Sequence, residues 1–303
     1  MKDLKSVYKW RFFKTKKEKD FIIKKIKNGK LLPLLIYTCF LFGVTRFIKV
    51  KRKYYTLYLS RSPYALWLYF HPDKERKEEE FVHEYLEAGD SFLDCGAHLG
   101  TVSFTASHKV GARGVVLSIE AHPDTFVLLK RNGELQEHKN TLFINAGVGE
   151  KDGWSHISSS YVSDMNHIGE CGKKVKMITL KPSIEKLGKV DLLKLDVEGM
   201  ELVALRGAGE VLVHVDAIIF ESSESLYERN SYSLHEVFRF LKMHGYEVYR
   251  FIGEGVFHME KIDYLYRTKT RYEDLVAVKG AGKIRLQKML EQKRLSQKAL
   301  LFE

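Results

Sequence analysis

Five short apolar runs recur through the middle of this chain, at residues 91–95, 115–119, 141–148, 190–196 and 216–220. Segments with helical spacing separate several of them, at 102–110, 125–135 and 201–213. A strand that is apolar on both faces must be covered on both, which places it inside a sheet flanked by helices. Strand and helix in alternation predict βαβ units and a parallel sheet. Few architectures remain for a chain of 303 residues. The expected fold is α/β, a Rossmann-like, doubly wound and mostly parallel sheet, with its reactive groups where the carboxyl ends of the strands open.

The remaining segments are placed around that core. Residues 54–70, rich in aromatic side chains, are predicted as strands leading in, followed by a helix near 81–86. Residues 153–180 interrupt the alternation with two β-prone pieces, an inserted β-hairpin. A helix is expected at 234–244, strands at 246–252 and 273–279, and a helix beyond. The organisation is therefore an N-terminal arm (1–53), a lead-in (54–90), the main domain (91–279) and a C-terminal basic helix (280–303).

Charge divides the chain the same way. Residues 1–53 carry 17 Lys/Arg against 3 Asp/Glu, and residues 279–303 carry 7 against 2. The segment between them is net acidic. Basic extensions serve anionic surfaces or merely solubilise. Within the arm, an apolar run from Leu31 to Val44 is flanked by lysines and arginines. It is too short to cross a bilayer as a helix and lacks the features of a secretory signal. The expectation is a segment lying in the interface of an anionic membrane, with packing on the domain as the alternative. Cys39, Cys95 and Cys171 are too scattered for a zinc site or a disulfide framework. A cytoplasmic chain, with membrane association through the arm, is expected.

Three motifs carry chemistry. The first is Asp94-Cys95-Gly96-Ala97-His98-Leu99-Gly100, where the first core strand turns into a helix. Gly96 and Gly100 are expected to let a ligand approach the backbone, and the helix start offers free N–H groups. Asp94 at the strand end can accept hydrogen bonds from an ammonium or amide. The second is Glu120, which ends the next strand where an acid meets the hydroxyls of an adenosine ribose, with Pro123 opening the following helix. NAD-dependent dehydrogenases share that pair. They also need GxGxxG for a pyrophosphate, whereas Ala97 stands at the second glycine here, so an oxidoreductase is disfavoured. The third is the run from Leu193 to Glu201, in which Asp196 and Glu198 project into the crevice with Lys194 on the same side. Glu221 ends the next strand. A nucleic-acid platform is a further alternative, opposed by this acidic edge.

These motifs resemble the FkbM methyltransferases, S-adenosylmethionine enzymes of the Rossmann-like class I type. The resemblance rests on the residues just named, on Asn145-Ala146-Gly147-Val148-Gly149 and on Leu205-Arg206-Gly207-Ala208, and it covers roughly residues 90–250. It implies methyl transfer to oxygen, often a sugar or natural-product hydroxyl. It also implies that Asp94, Gly96, Ala97, His98 and Gly100 surround the methionine part of the cofactor. Glu120 would hold the ribose, and Asn145, Ala146 and Val148 would border the adenine. Two departures stand out: His98 replaces the usual Asn, and Thr179-Leu180-Lys181-Pro182 lacks the usual acid.

An alcohol is a poor nucleophile at neutral pH and gains from a base or a metal. Asp196 or Glu198 accepting the hydroxyl proton, with Lys194 beside them, is the expected catalytic group. A magnesium ion held by Asp196 and Glu221 is the less favoured alternative. His122 and His167 are alternative bases, though an isolated loop histidine is more often polar surface.

Overall fold

The structure, a computed structural model, describes residues 42–60, 62–71, 76–158, 168–169, 171–253, 258–263, 265–267 and 272–299. Most of the apolar run of the arm, and His167, lie outside them.

The core strands are β3 (Ser91–Cys95), β4 (Val115–Glu120), β5 (Thr141–Asn145), β10 (Leu192–Leu195) and β11 (Ala217–Ser222). They are parallel, in the order β11-β10-β3-β4-β5. β14 (Glu273–Val278) joins β11 antiparallel, and β12 (Glu247–Phe251) and β13 (Met259–Ile262) extend that edge. The strand order reverses between β3 and β10, so the loops after these two strands part and leave a crevice.

Alternate side chains of each strand enter opposite layers, as a two-residue period requires. Leu93, Leu117, Leu193, Ile218 and Leu275 pack on one face, against α6 (Glu201–Ala208) and α8 (Leu234–Met243). Phe92, Val116, Leu192, Ile219 and Val276 pack on the other. There they meet α2 (Lys77–Tyr85), α3 (Thr101–Val110) and the C-terminal helix α9 (Gly280–Ala299). α9 buries Leu286 and Met289, and its cations meet acids of the body: Lys283 with Glu247 at 2.8 Å, Lys293 with Glu84 at 3.1 Å, and Arg285 with Asp90. The basic tail is thus a packed element of the domain.

Three expectations change. Of residues 54–70, only β2 (Thr56–Tyr58) is a strand, paired with β1 (Lys49–Lys51), and α1 (Pro63–Phe70) is a helix. Ser62 caps it by accepting from the Ala65 amide at 3.0 Å, and Pro63 sets the first turn. Aromatic residues cost only about 0.5 kcal/mol each in a helix. A cap worth about 1 kcal/mol and the full burial of Leu66 and Leu68 outweigh that cost. Second, the run 141–148 breaks at Ala146 and serves two sheets. Its end, β6 (Gly147–Val148), pairs with β9 (Lys173–Ile178), which pairs in turn with β7 (Gly153–Ile157) and, through it, with β8 (Ile168–Gly169). The inserted hairpin is therefore part of a second, four-stranded sheet. Third, Lys181–Leu187 forms a short helix, α5, with Pro182 in its first turn. α4 (Pro123–Gly133) and α7 (Glu224–Arg229) complete the elements used below.

Candidate active site

A cavity of about 350 Å³ opens at the carboxyl ends of β3, β4 and β10. Gly96, Ala97, His98, Glu120, Ala146, Val148, Lys194, Asp196 and Glu198 all line it. That places most of the expected site residues on one wall system. Asp94, Gly100, Asn145 and Glu221 lie behind or beside that wall.

The turn after β3 is bound into the sheet. The amides of Gly96 and Ala97 both donate to the Ile119 carbonyl, at 3.0 and 3.1 Å. Gly96 has φ 84°, and a β-carbon there would stand 1.9 Å from the Asp196 carbonyl oxygen. A β-carbon on Gly100, φ 91°, would meet the Phe104 ring at 2.2 Å. Both glycines therefore allow close packing of the protein on itself, and Gly96 also lines the cavity. His98 has φ 49°. That left-handed conformation is one that Asn and His enter more readily than most other side chains.

Glu120 is the fixed acid of the site. Its Oε2 accepts from the His98 amide at 2.9 Å and its Oε1 from the His122 amide at 2.8 Å. The two amides hold the carboxyl against the cavity in one orientation. Burial pushes its pKa up to about 7, against the pull of those two donors. His122, expected at the surface, is buried, and burial lowers its pKa. Asn145 donates to the Glu120 and Ala121 carbonyls at 2.8 and 3.1 Å, so it shapes the loop after β4 from outside the cavity.

Lys194 is buried beside the reactive edge. Its Nζ lies 3.3 Å from Asp196 Oδ2, 3.5 Å from Asp94 Oδ1 and 3.4 Å from the Gly96 carbonyl. Burial works against its charge, but Asp196 and Asp94 outweigh it and hold the group an ammonium. It ties the ends of β3 and β10 together and cannot act as a base. Asp94, wholly buried, takes the Ser103 hydroxyl at 2.6 Å, and burial raises its pKa. It braces Lys194 and the turn.

The loop from Asp196 to Met200 is held from below. Glu201 Oε1 accepts from the Val197 and Gly199 amides at 3.1 and 3.4 Å, and Asn230 donates to the Gly199 carbonyl at 3.0 Å. Glu198 has φ 53°, a conformation that this bracing maintains and that places it on the cavity wall. Asp196, Glu198 and Glu221 bring one carboxylate oxygen each within 4.8 Å of one another. By donor chemistry that set could hold a hard divalent cation.

The lead-in adds residues that no motif announces. Tyr64 and Trp67 of α1, with Arg76 and Glu78 at the start of α2, line the same cavity. The Tyr64 hydroxyl donates to Thr101 Oγ1 at 3.1 Å, and its ring stacks on Trp67 with centroids 6.3 Å apart. Arg76 pairs with Glu78 at 3.1 Å and lies 5.2 Å over the Tyr64 ring. The Ser62-Pro63 helix start was the one available signal for this wall, and the aromatic content of the segment masked it. The second sheet contributes Ile157 and Ile168 on the opposite side.

The precorrin-6y C5,15-methyltransferase of Geobacter metallireducens GS-15 is 13% identical, with a TM-score of 0.39, over 67% of this chain and 86% of its own. An S-adenosylmethionine-dependent methyltransferase of Aquifex aeolicus is 16% identical, TM-score 0.39, over 66% and 88%. The fibrillarin of Aeropyrum pernix, solved with natively bound S-adenosyl-L-methionine, is 14% identical, TM-score 0.36, over 63% and 67%. No curated protein matches the chain. The sequence profile of the methyltransferase FkbM domain matches residues 94–248, from the end of β3 into β12, which is half of the chain. The chain therefore belongs to the FkbM methyltransferase family, and it is an S-adenosylmethionine-dependent methyltransferase.

Proposed function

We propose that this enzyme methylates a hydroxyl group, on a sugar or another polyhydroxylated acceptor. The observation that carries the reading is the continuity of the cavity: Glu120 at one end, Asp196 and Glu198 at the other, and an aromatic wall of Tyr64 and Trp67 beside them. The cofactor end suits adenosine joined to methionine, with a clamped acid for the ribose and Ile119, Ala146 and Val148 as an apolar slot. When bound there, the cofactor supplies an electrophilic methyl group on sulfonium. The chain's residues then have two tasks. One is to hold the acceptor oxygen in line with the methyl group, which can supply much of the rate enhancement. The other is to take the hydroxyl proton as the new carbon–oxygen bond forms, for which Asp196 and Glu198 are the carboxylates on the wall. Lys194 places a cation 3.3 Å from Asp196. Flat aromatic faces stack on the C–H side of a sugar ring, while carboxylates accept from its hydroxyls.

Asp196→Asn is expected to lower turnover by about 10²–10⁴-fold while S-adenosylhomocysteine still binds. Labelling of a cell extract with methyl-labelled cofactor, followed by fractionation into glycan, lipid, protein and nucleic acid, identifies the acceptor. Label confined to protein or nucleic acid would overturn the hydroxyl-glycan reading, and full turnover by Asp196→Asn would remove the base. The clustering of Asp196, Glu198 and Glu221 favours one alternative, a magnesium ion in place of a free base. Loss of activity in EDTA, restored by magnesium, would select it. We also infer a cytoplasmic enzyme working at an anionic membrane surface through its basic arm. Among the described residues no helix is long and apolar enough to cross a membrane.

A further inference from the structure

Residues 42–60 hold five Lys/Arg and no Asp/Glu, and the fold sorts them. Along Lys49 to Lys53 the side chains alternate outward and inward: Lys49, Lys51 and Lys53 are exposed, and Val50 and Arg52 are buried. Arg52 turns in beside Glu79, 3.9 Å away, so the face left outside is cationic. Next to it, the short turn Val44–Phe47 presents its apolar side chains to solvent. Phe42 is 78% exposed, Val44 43% and Phe47 60%, while Thr45 is buried and donates to the Ser60 carbonyl at 3.0 Å. The turn is fastened to the domain. Arg131 of α4 donates to the Arg46 carbonyl at 3.0 Å and lies 3.6 Å over the Tyr58 ring, and Lys49 lies 5.2 Å from the same ring.

We propose that this face, Phe42, Val44 and Phe47 beside Arg46, Lys49 and Lys51, docks the folded domain on an anionic lipid bilayer. The inference rests on the membrane reading above and assigns a site to it. Exposed aromatic and aliphatic side chains next to cations suit the headgroup region, where the apolar groups insert and the cations meet lipid phosphate. A nucleic-acid backbone would reward the cations but leave the two phenylalanines in water. The chain beyond the face supports the same occupant. Residues 1–41 carry 12 Lys/Arg against 3 Asp/Glu, include the apolar run beginning at Leu31, and join the domain at Phe42. Two weak anchors in series hold a surface where one alone is marginal.

The test is co-sedimentation of the full chain with vesicles of phosphatidylcholine, with and without phosphatidylserine. Binding to the anionic vesicles alone, weakening with salt, is expected. Each surface cation contributes about a fivefold change in partition, so Lys49→Glu with Lys51→Glu should reduce binding by about 25-fold or more. Phe42→Ser with Phe47→Ser should reduce it at least tenfold, and both double variants should keep their affinity for S-adenosylhomocysteine. Wild type that ignores anionic vesicles overturns both the face and the membrane reading. Wild type that binds, with both double variants binding equally well, overturns the face and leaves the arm as sole anchor. Binding to a short RNA but not to vesicles would overturn the lipid assignment.

Discussion

At the end of the cavity proposed for the cofactor, the wall is built from backbone: two amides clamp Glu120, and a glycine turn is locked onto a neighbouring strand. Every expected residue there lies within the family match at 94–248. At the end proposed for the acceptor, Asp196 and Glu198 share the cavity with side chains from the lead-in, Tyr64, Trp67, Arg76 and Glu78, all of which precede that match. The first end is rigid because strand ends and their hydrogen bonds define it. The second depends on a capped helix leaning over the crevice. A shared cofactor can be held by elements common to a fold, whereas an acceptor is read by whatever else reaches the cavity. On this division, substitutions at one end should leave the other intact.

The largest effect is expected at Gly96. An alanine β-carbon there would meet a backbone carbonyl in a left-handed conformation, so Gly96→Ala should cost about 3 kcal/mol or more of stability and abolish cofactor binding. Gly89→Ala, at φ 95° with open space around it, should cost only about 1–2 kcal/mol. Urea unfolding of the two variants measures the difference; equal losses would mean that the turn is not held as described. Next comes Glu120→Ala, which removes the proposed acceptor for the ribose hydroxyls and leaves two amides without their carboxyl partner. A loss of about 10–100-fold in affinity for S-adenosylhomocysteine is expected by calorimetry.

The same carboxyl makes binding depend on pH. Burial pushes Glu120 up to about 7, so below that pH the free enzyme carries it protonated, while the ribose hydroxyls favour the ionised form. Affinity should therefore be flat above pH about 7 and fall by up to about tenfold per unit below it, with proton release on binding. An affinity unchanged across that range would show that Glu120 does not ionise on binding. The smallest effect tests the other end. Trp67→Ala should raise the acceptor KM by about tenfold, with cofactor affinity unchanged. A drop in cofactor affinity would break the division between the two ends.

The two basic ends show where sequence reading stops. Both look alike as composition, yet Lys283, Arg285 and Lys293 meet Glu247, Asp90 and Glu84, while Lys49 and Lys51 face outward. Whether a cation is spent inside the fold depends on acids far away in the chain. The lead-in differs from its composition for a related reason. Aromatic content speaks for a strand, but Ser62 and Pro63 start a helix that burial then stabilises.

What the order of residues determined by itself was the periodic part. Strands apolar on both faces, acids at their carboxyl ends and the glycine turn are local patterns, because the two-residue and 3.6-residue periods act within one element. The crevice, its glycine turn, Glu120 and the Asp196 loop were legible for that reason. Only the tertiary structure decided what each group meets. Gly96 is glycine because of a carbonyl one hundred positions away, Lys194 is a brace because two strands bring Asp94 and Asp196 to it, and Tyr64 faces the cavity because a distant helix start supplies Thr101. Contacts between elements arise from packing in three dimensions, and no period along the chain encodes them.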